Sequence, residues 1–302
     1  MELTAIMEAL KENRDRKFPR EALKQAIAHK DEITPLLLAE FVPVQEKIAE
    51  IDANVDYFRH LYALYLLAQF RETKAYPVII DFISVPDKAL MDIMGDLGTE
   101  DIVSILASGC GGYLSPIKQI REIALVIVYV RCGGFNALLT LVVVGDVSRE
   151  SVLAYFETLW PKLQEAKEEE DDFLSHALLM SILDLYPNES LASVIREAYE
   201  TDQIDPQWSD IDDLEEIFEI GLEQSIEILA SHRYYCFVTD TIASLEWWAC
   251  FQGNAPKKTR VLPTGLGLSS GFGSPKKDAA KRKKKRQSQK QARKQNRSKK
   301  KR

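Results

Sequence analysis

Apolar residues recur in this chain as quartets spaced i, i+3, i+4 and i+7, and the quartets come in pairs about a dozen residues apart. Ala63, Leu66, Leu67 and Phe70 are followed 13 residues later by Tyr76, Ile79, Ile80 and Ile83. Ile123, Val126, Ile127 and Val130 are followed after 12 by Phe135, Leu138, Leu139 and Val142. Leu179, Ile182, Leu183 and Tyr186 precede Leu191, Val194, Ile195 and Ala198 by 12, with Pro187-Asn188 between them. Weaker sets begin at Leu90, Ile102 and Val152. Each quartet lines one stripe of an α-helix. Short helices joined by a tight turn cannot bury their stripes alone, so each pair must stack on the next. The spacing therefore predicts an all-α fold, a HEAT-like helical-repeat solenoid, with Thr34-Pro35, Thr99 and Ser148 marking helix starts.

Two stretches test that reading. Ile123 to Val144 is apolar enough to suggest a membrane span, but Arg131-Cys132-Gly133-Gly134 places a charge and helix breakers at its centre. Two short buried elements are expected there, with no stable membrane insertion. Ala124 to Val130 and Leu141 to Val144 are rich in β-branched residues, yet they lack period-two alternation and are read as helices rather than a βαβ insertion. The start, MELTAIMEALKENRDRK, has no continuous apolar run and reads as a first helix, not a secretory signal.

Composition adds where the chain stops folding. At 46% apolar and 28% charged it can bury a core. The net charge of −7 conceals a division: residues 276–302 hold 16 Lys/Arg and one Asp, and the preceding residues hold the other 23 basic groups against 45 acidic ones. Pro263 to Pro275 is Gly/Ser/Pro-rich, and the segment after it has no Leu, Ile, Val or aromatic residue. The expected organisation is a helical-repeat domain over 1–258, a linker over 259–275 and a disordered basic tail over 276–302.

The tail carries the clearest chemistry. Lys276 and Lys277, then Lys281, Arg282, Lys283, Lys284, Lys285 and Arg286, form a dense cationic run that continues to Arg302. Such a run binds polyphosphate by releasing condensed counterions, which suits RNA or DNA. The same residues match the basic address that importins read, sending a protein to the nucleus or nucleolus of a eukaryotic cell. In a bacterium the address is silent and the chain is expected in the cytoplasm. Attraction to an anionic membrane surface ranks third, because the tail lacks apolar anchors. The helical surface is expected to bind a protein partner.

Other features read more plainly. Cys110, Cys132, Cys236 and Cys250 make no CxxC pair, and His29, His60, His176 and His232 make no HExxH or HxxxH, so reduced thiols and no metal or cofactor are expected. Gly265 to Gly271 lacks the P-loop GK[ST]. Acidic runs over Glu165 to Asp172 and Asp210 to Glu219 read as solvated helix faces or as a groove for basic partners. Tyr234, Tyr235, Phe237, Trp247, Trp248 and Phe251 read as a cap on the last repeat. The rival to a non-catalytic scaffold is an enzyme or metal-binding protein with His60, Asp96, Glu100 and Asp101 on the concave face.

HLYALYLLAQFRETKAYP (His60 to Pro77) followed by GDLGTEDIVSILAS (Gly95 to Ser108) resembles a bacterial family, the domain of unknown function 1186. The resemblance covers roughly residues 20–160 and implies the helical-repeat fold, with no catalytic role. Members often end in a cysteine-rich SEC-C tail thought to bind zinc. This chain has no cysteine after Cys250, so that property does not carry over.

Overall fold

Among the described residues the 3-4 spacing is realised mostly as helix. A computed structural model describes residues 1–85, 90, 93–94, 97, 101–113, 115, 117, 128–166, 169–201, 203 and 211–252. Among these residues there are fourteen α-helices and no strand; one isolated antiparallel bridge joins Glu12 to Tyr57. The helices are α1 (Leu3–Ala9), α2 (Arg20–Ala28), α3 (Lys30–Ala39), α4 (Val44–Asp52), α5 (Arg59–Gln69), α6 (Ala75–Ile83) and α7 (Ile102–Gly109). They continue as α8 (Val128–Val143), α9 (Arg149–Ala166), α10 (Glu169–Asp184), α11 (Glu189–Glu200), α12 (Ile211–Ile220), α13 (Leu222–Ser231) and α14 (Thr241–Leu245). All described residues belong to one compact unit, Met1–Gly265. The expected linker and tail, and the last residues of the expected helical domain, lie outside the described residues. No described helix is long and apolar enough to cross a membrane.

Two of the three expected pairs are realised as separate helices. Leu66, Leu67, Ile79 and Ile80 are buried on α5 and α6, and Leu179, Leu183, Leu191 and Ile195 on α10 and α11. Between the latter two, the Asn188 side chain accepts the Leu191 N–H at 2.9 Å, so the residue that breaks α10 also caps α11. Helix α5 stops by a Schellman turn: the Arg71 N–H donates to the Ala68 carbonyl and the Glu72 N–H to the Leu67 carbonyl, with Arg71 at φ 52°. Ser148 opens α9 as expected, its hydroxyl accepting the Ser151 N–H at 3.2 Å. Thr34 does not open a helix. α3 starts at Lys30, and the Thr34 hydroxyl instead donates to the Lys30 carbonyl within it.

The middle pair is corrected. No break occurs at Arg131 to Gly134, because α8 runs without interruption from Val128 to Val143; Ile123, Val126 and Ile127 lie outside the described residues. The glycines serve close approach instead. A Cβ on Gly133 would stand 3.0 Å from Ile102 Cγ2, so α7 approaches more closely than most Cβ contacts allow without a shift of the neighbour. Helix α8 packs against α7, α9, α10 and α13, and Phe135, Leu138, Leu139 and Leu141 are buried along it. Each such side chain contributes about 1.5–3 kcal/mol by leaving water.

Two of the C-terminal aromatics are also corrected. Trp248 and Phe251 do not cap the last helices: α14 packs against α2 and α5, Trp248 lies against Tyr65, and Phe251 sits among Phe18, Phe58 and Tyr62, whereas Tyr235 hydrogen-bonds Asp184 at the end of α10. The chain between α13 and α14 turns over 232–236 and carries no helix before Asp240, which restarts one by capping Ile242 and Ala243 beside the N-terminal helices.

Candidate functional site

Among the described residues, α1, α3, α4 and α5 form an open cleft of about 420 Å³. Thr4, Met7 and Glu8 come from α1, Leu36 and Ala39 from α3, and Lys47 and Arg59 from α4 and α5; Glu40, at the end of α3, completes the lining. The spacing of α3 explains the last of these. Ile33, Leu37 and Phe41 are fully buried, and Glu40 lies on the same stripe, so packing this helix takes a carboxylate inside.

That carboxylate is 2% exposed and both of its oxygens are engaged. Oε2 accepts from Arg59 Nε at 2.7 Å, and Oε1 accepts the Tyr57 hydroxyl. Arg59 also donates to the Tyr57 oxygen at 2.9 Å and to the Met7 carbonyl at 3.4 Å. Burial, and then the bond to Glu40, lift the Tyr57 hydroxyl well above the usual phenol range. Burial opposes the charge on Arg59, but the Glu40 carboxylate outweighs it and the guanidinium titrates above its ordinary value. With both oxygens spent, Glu40 is poorly placed to take a proton from a substrate. Arg59 has used three of its five N–H groups and can still donate to an acceptor in the cleft. The chemistry on offer is recognition by hydrogen bond beside an apolar wall of Met7, Leu36 and Ala39.

The expected catalytic cluster is only half placed. His60 is 2% exposed in α5, its Nε2 lies 3.3 Å from the Ile93 carbonyl, and its ring stacks on Tyr57. Burial lowers its pKa to about 4, so the ring is neutral near pH 7. Asp101 lies at the N-terminal boundary of α7. Asp96 and Glu100 lie outside the described residues, as do Lys276, Lys277, Lys281, Arg282, Lys283, Lys284, Lys285 and Arg286 of the tail.

Cys110 is buried, donates to the Ala107 carbonyl, and has its thiol pushed up by burial. Asp212, Glu215, Glu216 and Glu219 are exposed on α12. Among the described residues no group of three or more His, Cys, Asp or Glu could hold a metal ion. Sequence reading missed Glu40, Tyr57 and Arg59. The available signal was a lone carboxylate within the apolar run Leu36-Leu-Leu-Ala-Glu40-Phe41-Val, three and seven residues after Leu37 and Ile33 on one helical stripe.

The family described as "Protein of unknown function (DUF1186)" matches residues 1–252, and the chain belongs to it. A similar protein of Chlamydia trachomatis serovar D, named only as uncharacterized, is 36% identical over 253 residues, covering 82% of this chain and 96% of its own length. One of Chlamydia muridarum, equally uncharacterized, is 35% identical over 250 residues, covering 82% and 97%. No solved structure matches. The family match ends at residue 252, ahead of the basic tail.

Proposed function

We propose that this chain is a non-enzymatic scaffold, a HEAT-like helical-repeat body that binds a protein partner and carries a basic tail that engages nucleic acid or serves as a nuclear or nucleolar address. The charge division carries the reading: 16 of the 39 Lys/Arg residues fall in the last 27 positions, on a chain whose remainder is strongly acidic. A segment that is almost wholly cationic and free of large apolar groups has counterion release as its main source of binding energy. The repeat reading draws support from the succession of neighbouring contacts, with α2 on α3, α8 on α9, α9 on α10, α11 on α12 and α12 on α13. The cleft over Glu40 and Arg59 is the part of that surface best shaped to take a side chain of the partner.

The test is localisation. In a eukaryotic cell, a fluorescent fusion of the full chain should concentrate in the nucleus or nucleolus, and one ending at Ser274 should spread through the cell. Replacing Lys281 to Arg286 by Gln should reproduce the truncation. If all three distribute alike, the address reading is wrong.

A further inference from the structure

Residues 232–252 return over the N-terminal helices as a strap with little core of its own. Within it only Val238, Thr241 and Leu245 are buried, whereas α5 beneath is buried from His60 through Ala68. Its polar ties to the rest of the body are few, and one of them is the Tyr235 hydroxyl donating to the Asp184 carboxylate of α10. The Val238 N–H donates to Ser108 Oγ at 2.9 Å, the Thr241 N–H to Gln69 Oε1 at 2.9 Å, and Ser104 Oγ to the Tyr234 carbonyl at 3.3 Å. The Arg71 guanidinium lies 3.9 Å from the Phe237 ring centroid. The Arg20–Glu246 ion pair joins side chains that are 51% and 38% exposed, a setting in which ion pairs contribute little. One buried group opposes closure: the Thr241 hydroxyl is fully buried with no hydrogen-bond partner, so docking strips its water without repayment.

What the strap covers is aromatic. Phe251 lies 5.1 Å from Phe18, 5.9 Å from Phe58 and 6.4 Å from Tyr62, and Trp248 lies 6.0 Å from Tyr65. Segments with few buried side chains open at lower free energy than the core they rest on. We infer that residues 232–252 form a clasp that opens as a unit while the helices beneath stay folded, uncovering a ring face made by Phe18, Phe58, Tyr62 and Tyr65. Closed, Phe251 and Trp248 fill that face; open, it meets water. The clasp is thus a two-state element built into the body, directly ahead of the segment that leads to the tail.

Hydrogen exchange on the full chain tests this. Amides over 234–252 should exchange at least about tenfold faster than those over 59–69. Phe251→Ala should speed the strap further, leave 59–69 unchanged and raise the fluorescence of added anilinonaphthalene sulfonate. Arg20→Gln, which cuts only the exposed ion pair, should shift the strap the same way by less. Equal exchange of strap and α5, loss of protection at 59–69 in step with the strap, or a loosened strap that binds no more dye would each overturn the clasp.

Discussion

Glu40 shows what one side chain does to the energetics of the N-terminal helices. It holds Arg59 and Tyr57 from a position closed to water, so removing its charge leaves the guanidinium half-buried and unpaired. Glu40→Gln should cost about 3–5 kcal/mol, the range for breaking one side of a buried pair. Tyr57→Phe removes a single bond to a charged acceptor and should cost about 1.5–3 kcal/mol. Urea unfolding of the two variants checks the order, and a Tyr57→Phe loss as large as that of Glu40→Gln would contradict the network described above.

His60 sets a pH dependence. Its folded pKa of about 4 lies below the ordinary 6.5, so between those values the unfolded chain takes up a proton that the folded chain refuses. The stability from neutral His60 is therefore fully present above pH 6.5 and declines toward pH 4, by roughly 3 kcal/mol. Asp184, half-buried by surface area but ringed by protein atoms, pulls the other way: burial raises it to about 7, so its contribution grows as pH falls. Comparing the urea midpoints of the parent and His60→Asn across pH 7.5 to 4.5 isolates the histidine: with the fall from His60 removed and the opposing rise from Asp184 kept, the variant should gain stability relative to the parent as pH drops, by roughly 3 kcal/mol.

At the scale of the element, α8 offers a test of sign. Both Gly133→Ala and Gly134→Ala gain helix propensity, up to about 1 kcal/mol. At Gly133 the new methyl would meet Ile102 Cγ2 at 3.0 Å, while at Gly134 it would meet Ile117 Cγ2 at an ordinary 3.7 Å. Gly134→Ala should therefore be neutral or stabilising, and Gly133→Ala should destabilise by about 1–3 kcal/mol through overpacking. Thermal unfolding of both decides it. Asn188→Ala, which removes the α11 cap, should cost about 1 kcal/mol.

The same elements explain what was legible beforehand. The α5–α6 and α10–α11 pairs follow from local spacing, and the break between the latter two from Pro187-Asn188, because neighbours within one or two turns decide them. The continuity of α8 was not legible, since Gly133 reads as a breaker until Ile102 is known to lie against it. Nor was the end of α5, where Arg71 takes the left-handed conformation usually left to glycine. The return of the C-terminal segment depends on contacts such as Val238 with Ser108, 130 residues apart, which leave no periodic trace. Glu40 was visible as a carboxylate in an apolar run, but its partners Tyr57 and Arg59 come from another part of the chain.

For the whole molecule, the account rests on a folded acidic body and a cationic end divided along one chain. The family match stops at residue 252, so ending the chain after Ser274 leaves the matched region intact while removing 16 basic residues. The direct measurement is single-stranded RNA retention by the full chain and by this truncation over a salt series. If Lys276 to Arg286 supply eight phosphate contacts, log affinity should fall against log salt with a slope of about −5 to −6, and the truncation should retain no RNA even at low salt. Equal affinity and equal slope for the two chains would contradict the account.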